Sequence, residues 1–561
     1  MRDVYPRFRN LPADYLVAPE LQPEYLDLPG LTLDDTANLA DHILGRAGSR
    51  AGALAIIHHE GSEQRQFTFA DLDRSSSRLA AALANLGVVA GDRVAYRSSN
   101  RPEAVITALA CWRLGAIVVP TPPQAHADEL RFHLLDAAAT TLVAYGRESY
   151  FSPVPAALDG TEVINRIAFG ERPNADGWHW WPNLIENASG PDVSSPVHAD
   201  TPALVWHTGG TTGIPKGCYH TQRRFLAAGY SFGAATWVQP GQRWAAAAPI
   251  GHALGFIYHT IFTLLHGATV VMIEDFSKPD VVLRAISEHR VDTFTAIAAT
   301  WARMLEAIDA EPELDAVGGL RRAYAMWQSA SSTDVYDRWK QRGVELLNNF
   351  GSTAFANWVL VPRPGENSPR GSLGRPAPGY RVIAIERESR LPEPLPAGTP
   401  GRMAVQGPSG LTYWRRPDQQ ERDVTEGWTL VDDLISFDDA GNAAYLGRND
   451  FMISSAGFKV APVEVEQVLN RHPAVREVAV IGTPDPIRQE VVTAFVALHP
   501  GTTGSEGLRR ELQDFVKAEL APFKYPRRIV FVDGLPRDPV GKVQPRLLQQ
   551  LAAAGQSKES K

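Results

Sequence analysis

Residues 208–217 read Thr-Gly-Gly-Thr-Thr-Gly-Ile-Pro-Lys-Gly. Glycines let backbone N–H groups approach a polyphosphate closely, threonine hydroxyls donate to its oxygens, and a lysine supplies a point charge. Thr208, Gly209, Gly210, Thr211, Thr212, Gly213 and Lys216 therefore form a candidate phosphate loop. It is not a Walker A loop, which places Ser or Thr directly after Gly-Lys, because Pro215 precedes Lys216 and Gly217 follows it. A glycine-rich surface turn is the plain alternative for the loop taken alone.

The elements that must hold such a loop alternate between helix and strand. Leu79, Leu83 and Leu86 lie on one stripe of a helix over 75–87, and Gly91-Asp92 turns the chain into a strand at 93–96. A helix over 102–114 ends at Gly115, and the apolar run 116–120 reads as a buried strand. A helix over 128–138 then leads into a strand at 141–144, and strands recur at 203–207, 268–273 and 292–296. This rhythm predicts a mostly parallel sheet covered by helices. Proline and glycine become dense from 362 to 410, with short strands at 381–386 and 402–406, which predicts a β-rich subdomain. A smaller α/β unit begins near 450, with helices 462–471 and 506–520 and strands 476–482, 491–498 and 528–532. The fold class expected is α/β: a large N-terminal domain over 1–449, its β-rich subdomain at about 360–449, and a small mobile C-terminal domain over 450–561.

At 561 residues the chain is long enough for two or more domains. The net charge of −8 argues against nucleic acid or an anionic membrane as a general partner. Two cysteines, Cys111 and Cys218, give neither a disulfide framework nor a zinc-type cluster, which fits a reducing cytoplasm. The start lacks a signal-peptide apolar run, and no stretch reaches the 18 apolar residues of a membrane helix.

The order Thr-x-Gly-Thr-Thr-Gly-x-Pro-Lys-Gly resembles the signature of the adenylate-forming superfamily, and further stretches resemble it in the same order over roughly 70–550. Residues 453–466 and 516–528 are most similar to acyl- and aryl-CoA synthetases, the medium-chain type included. The resemblance implies a soluble, AMP-forming acid–thiol ligase. ATP, Mg²⁺ and CoA are its expected co-substrates and cofactor, and a small carboxylic acid is its partner.

Residue by residue, the resemblance implies these roles. Pro249-Ile250-Gly251-His252 places His252 at the gate of the acyl pocket. Asn349-Phe350-Gly351-Ser352-Thr353-Ala354 resembles the segment that stacks adenine and binds the α-phosphate, with Phe350 as the aromatic face and Thr353 as a donor. Ala354 stands where the family has a Mg²⁺-binding glutamate, and Ala330-Ser331, implied contacts of ATP and AMP, stand where it has Gly-Glu, so the metal ligands are left open. Asp433 matches the aspartate that accepts the ribose hydroxyls, although Val431-Asp432 replaces Thr-Gly before it. Arg448 matches an arginine that reaches ribose or phosphate, and Asp450 matches the hinge. Ala456, Gly457, Phe458 and Lys459 correspond to the loop that lines the pantetheine tunnel, and Lys459 and Lys517 to contacts with CoA phosphates. Lys542, in Leu535–Val543, corresponds to the lysine that bridges the attacking carboxylate and the α-phosphate.

Trp237, His252, Phe256, Trp327, Gly351 and Phe355 are candidate liners of the acyl pocket, and the wealth of aromatics predicts an aryl, alicyclic or other bulky hydrophobic acid. Free CoA is the expected acceptor. The alternatives are a freestanding enzyme loading a carrier protein, a half-reaction specialist and a non-catalytic nucleotide-binding relative. Oligomeric state stays open, a homodimer included.

Overall fold

Two seven-stranded sheets carry most of the chain, and both follow one plan. The computed structural model describes residues 11–45, 50–61, 63–188, 197–208, 215–315, 317–326, 333–363, 365–366, 368–455, 458–485, 489–521, 523–537 and 543–559. The first sheet runs in space as His179–Trp180, Asn165–Phe169, Thr141–Tyr145, Arg93–Arg97, Ile117–Thr121, Pro202–Thr208 and Lys216–Thr221. The second runs as Glu345–Asn348, Arg322–Met326, Thr293–Ile297, Arg243–Ala246, Thr269–Ile273, Leu54–Glu60 and Glu63–Thr68. In each, neighbours are parallel until the last strand, which pairs antiparallel at the edge.

Local chemistry explains the elements. The strands Arg93–Arg97, Ile117–Thr121 and Thr141–Tyr145 are buried along their whole length, as strands covered on both faces must be. The helix Pro102–Leu114 starts on proline and stops at Gly115, whose φ of 71° gives the left-handed cap. The helix expected from 75 begins earlier, at Phe69, because Thr68 and Asp71 close a reciprocal capping box there.

The two sheets share one core, and polar side chains bolt them together at the ends where the site lies. Tyr96 Oη donates to the Ile250 carbonyl at 2.9 Å. Asn100 Nδ2 donates to the carbonyls of Ala248 and Ile273, each at 3.0 Å, and its Oδ1 accepts from Ile250 N at 2.7 Å.

After Asn348 the pairing turns antiparallel, except that Arg528–Phe531 joins Gln489–Leu498 in parallel. A three-stranded sheet pairs Phe350–Ser352, Asn357–Val361 and Arg375–Pro376. A five-stranded sheet follows, made of Arg381–Ile385, Gly401–Gln406, Val424–Thr425, Trp428–Phe437 and Ala443–Arg448. The last sheet holds Ile453–Ser455, Phe458–Val460, Val475–Asp485, Gln489–Leu498 and Arg528–Phe531, with its own apolar cluster around Val465, Leu469, Leu512 and Val516. Among the described residues no helix is long and apolar enough to cross a membrane.

Candidate active site

The phosphate-loop ends are pinned by strand pairing. Thr208 and Lys216 are register partners across the antiparallel pair, so the loop is the connection between two adjacent strands. Gly209, Gly210, Thr211, Thr212 and Gly213 lie outside the described residues. Next to the root at Thr208, His207 Nε2 meets Asp136 Oδ2 at 2.9 Å, and Arg416 reaches Asp136 Oδ1 at 2.5 Å. Burial pushes the Asp136 carboxyl up, but the bonds from His207 and Arg416 outweigh it and hold it below the usual carboxylate range. Trp414 N donates to the Gly217 carbonyl at 2.8 Å, which fixes the chain just past Lys216.

The second part is the hairpin after Asn348. Gly351 pairs with Trp358, and a Cβ at Gly351 would stand 2.6 Å from Trp358 Cδ1 and 2.7 Å from the Asn357 carbonyl oxygen, so only glycine fits. Tyr258 Oη donates toward the Ser352 carbonyl at 3.4 Å. His220 Nε2 donates to the Thr353 carbonyl at 2.8 Å and thereby ties the hairpin to the strand that begins at Lys216. Burial holds the His220 imidazole down at about 4, so it is neutral. Asn349 is buried, and neither its amide nitrogen nor its amide oxygen has a partner, as in a site built for a ligand with both donors and acceptors.

The third part comes from the β-rich sheet. Asp433 and Arg448 are register partners on neighbouring strands, with Arg448 Nη1 3.7 Å from Asp433 Oδ2. Tyr445 Oη donates to Asp433 Oδ1 at 2.9 Å, and the Tyr445 ring stacks on Phe350 at 6.2 Å with 28° between planes. An aromatic face, a buried carboxylate and an arginine thus meet, which suits a base, ribose hydroxyls and a phosphate in turn. Sequence reasoning missed Tyr445; its signal is an aromatic three residues before Arg448 on the strand paired to Asp433. The neighbouring Asp432 directs its charge into an ion pair with Arg402 at 2.9 Å.

Residues 45–414 match the family described as AMP-binding enzyme, and residues 464–542 match the AMP-binding enzyme C-terminal domain. The chain belongs to the AMP-binding enzyme family. It is 30% identical to the benzoate–CoA ligase of Thauera aromatica over 524 residues, covering 92% of this chain and 96% of that one. It is 28% identical to the human mitochondrial acyl-coenzyme A synthetase ACSM5, covering 94% and 90% of the two chains. The crystal structure of the anthranilate CoA ligase AuaEII with anthranoyl-AMP superposes with a TM-score of 0.83 at 26% identity, covering 93% of this chain and 99% of that one. A benzoate CoA ligase from Burkholderia xenovorans LB400 superposes with a TM-score of 0.81 at 27% identity, covering 91% and 99%.

In this AMP-binding enzyme the acyl-pocket candidates separate. His252 is half-buried in the turn after the strand Arg243–Ala246, and its Nδ1 accepts from Leu254 N at 3.2 Å, which leaves the ring proton on Nε2. The next residues, Leu254–Ile261, form a π-helix, a rare geometry concentrated at functional sites. Phe256 is fully buried but turns toward the first sheet, with ring centroids 5.6 Å from Tyr96 and 5.8 Å from Trp206. Phe355 is fully buried and its carbonyl accepts from Ser409 Oγ. Trp237 is a correction: it caps its helix in the left-handed region with φ 53° and is 48% exposed. Trp327, Ala330 and Ser331 lie outside the described residues.

Phe458 and Lys459 lie on the strand Phe458–Val460, and Lys517 lies on the helix Glu506–Glu519, where its Nζ pairs with Asp514 at 2.8 Å. That exposed pair is worth little to stability. Ala456, Gly457 and Lys542 lie outside the described residues, and Asp450 sits in the short 3₁₀ turn Asn449–Phe451.

The AMP-binding enzymes use ATP, usually with Mg²⁺. Here the expected carboxylate is absent: residue 354 is alanine, and its backbone N–H donates to Ser352 Oγ at 3.1 Å. Neither three-ligand group found among the described residues, His59/Glu288/His289 or His58/Glu60/Glu274, includes a residue of the nucleotide cluster. The residues at 354 therefore do not fit a protein-bound Mg²⁺.

Proposed function

We propose that this AMP-binding enzyme is an ATP-dependent acid–thiol ligase that converts a bulky hydrophobic carboxylic acid into its CoA thioester. One observation carries the reading: the roots of the phosphate loop, the Phe350 hairpin and the Asp433–Arg448 strand pair converge, tied by His220 and by the Phe350–Tyr445 stack. In the first half-reaction a carboxylate oxygen attacks the α-phosphorus, the bond from that phosphorus to the bridging oxygen breaks, and pyrophosphate leaves. Lys216 and Lys542 stabilise the charge that develops on the phosphates. Asp433 accepts the ribose hydroxyls, Phe350 stacks the base, and Asn349, Ser352 and Thr353 complete the AMP contacts. In the second half the C-terminal unit turns about Asp450, and residues 456–459 with Lys517 deliver CoA. The thiol sulfur attacks the acyl carbonyl, the carbon–oxygen bond to AMP breaks, and the thiol proton passes to solvent.

The acid is aryl or similarly bulky. The benzoate- and anthranilate-CoA ligases among the relatives support this, as does the aromatic ring set around Trp358. A second reading, an enzyme specialised for one half-reaction, is favoured by Ala354 alone. The test is mass-spectrometric detection of thioester after incubation with ATP, Mg²⁺, CoA and a panel of aryl and medium-chain acids. Thioester from an aryl acid is the expected result. Conversion of supplied acyl-AMP alone would replace the full ligase with the thiolation specialist.

A further inference from the structure

Buried polar groups without partners cluster at one place in the second sheet. His259 is 2% exposed and lies in the π-helix, and neither of its ring nitrogens has a hydrogen-bond partner. Burial holds its imidazole down at about 3, so it is neutral, with one N–H to donate and one nitrogen to accept. The Tyr324 hydroxyl, the Thr295 hydroxyl and the Trp358 Nε1–H also lack partners, in side chains that are 1% exposed or less.

Strand register brings these groups together. Ala246, Thr295 and Tyr324 are successive register partners across three parallel strands, so their side chains line one face of the sheet. That face meets the π-helix. Trp244 lies 5.9 Å from the His259 ring and 6.2 Å from Tyr324, and Trp358 lies 6.0 Å from His259 and 4.7 Å from Tyr324. A small cavity of about 20 Å³, room for roughly one water, opens beside His259, bounded by Asn100, Ala246, Ala248, Ile250, Gly255 and Thr260; Thr295, Tyr324 and Trp358 stand behind His259 and do not line it. Trp358 pairs with Gly351 of the nucleotide-site hairpin, so the cluster lies just beneath the place where the acyl group would be activated. Natural interiors rarely leave one such group unpaired, and here four residues do so around one aromatic box.

We propose that His259, Thr295, Tyr324 and Trp358 form a hydrogen-bonding floor of the acyl pocket, and that the acid this enzyme prefers carries a neutral hydroxyl on the side remote from its carboxylate. This rests on the ligase reading above. A hydroxyl both donates and accepts, as the floor requires. Among the floor and cavity residues none carries a charge that could neutralise a second carboxylate, so a dicarboxylic acid does not fit. A site built to bond a hydroxyl rejects the analogue that lacks it far more strongly than an apolar pocket rejects a lost methylene.

The experiment measures kcat/KM for thioester formation by the full chain with benzoate, its three ring-hydroxylated isomers and their methyl isosteres. The expected result is one hydroxylated isomer favoured over its methyl isostere by about tenfold or more. Tyr324→Phe, which keeps the ring and so the packing, should bring that ratio close to one at an unchanged melting temperature. His259→Gln, which keeps a donor and an acceptor, should retain more of the ratio than His259→Leu. Equal or better turnover of the methyl isosteres would mean that the polar atoms hold only ordered water, which overturns the inference and leaves the ligase standing. No thioester from any acid would overturn the ligase reading and this inference with it.

Discussion

Tyr445→Phe isolates one hydroxyl at the centre of the nucleotide site. The ring remains, so the stack on Phe350 is kept, and the loss is the 2.9 Å bond to Asp433. Asp433 is 5% exposed, so water cannot replace that donor fully. A hydrogen bond to a charged group contributes about 1.5–3 kcal/mol. At about 1.4 kcal/mol per factor of ten this corresponds to a roughly ten- to hundredfold weaker hold on the nucleotide. Arg448, 3.7 Å from the other carboxylate oxygen, keeps the charge in place and sets the lower end as the better guess. The assay is acid-dependent ATP–pyrophosphate exchange, with ATP and acid varied independently. The rise should fall on the KM for ATP, with the KM for the acid little changed. A KM for ATP within twofold of the parent, in a variant that melts normally, would refute the placing of the ribose on Asp433; so would a loss confined to the acid.

Three further outcomes are expected. Lys542→Ala should abolish pyrophosphate release yet spare thiolation of supplied acyl-AMP, and equal loss of both would remove Lys542 from the adenylation step. Ala354→Glu should lower the Mg²⁺ concentration that gives half-maximal adenylation; an unchanged Mg²⁺ titration would show that the metal is held wholly by groups other than residue 354. Burial depresses His220 from the ordinary histidine value of 6.5 to about 4, so its contribution to stability is complete above pH 6.5 and is lost as pH falls toward 4. At 1.36 kcal/mol per unit that loss is about 3 kcal/mol. His220→Gln, which retains a donor toward Thr353, should therefore show a shallower fall in urea stability over that window; parallel curves would refute the assignment.

Much of the fold was legible because each signal was local. The Pro102 start and Gly115 stop frame one helix, and the uninterrupted apolar runs mark the buried strands. The nucleotide residues were legible as short contiguous motifs, and strand register then shows why Asp433 and Arg448, 15 positions apart, act together. What was not legible depends on three-dimensional direction. The π-helix at Leu254–Ile261 is buried all round, so no periodicity distinguishes it from an α-helix, and its winding turns Phe256 to one sheet and His259 to the other. Trp237 was drawn into the pocket by its residue type, whereas its place as the left-handed C-cap of the helix Gln222–Thr236 puts it on the surface. Tyr445 carries no motif of its own; only pairing with Asp433 reveals it.

The central claim is that one active site performs both half-reactions. Its most direct test is pyrophosphate release from MgATP by the full chain, measured with and without CoA across aryl acids, with the thioester quantified in the same samples. The account predicts acid-dependent release that CoA multiplies, with one thioester formed per pyrophosphate. Acid-dependent release that CoA leaves unchanged, with no thioester, would contradict it.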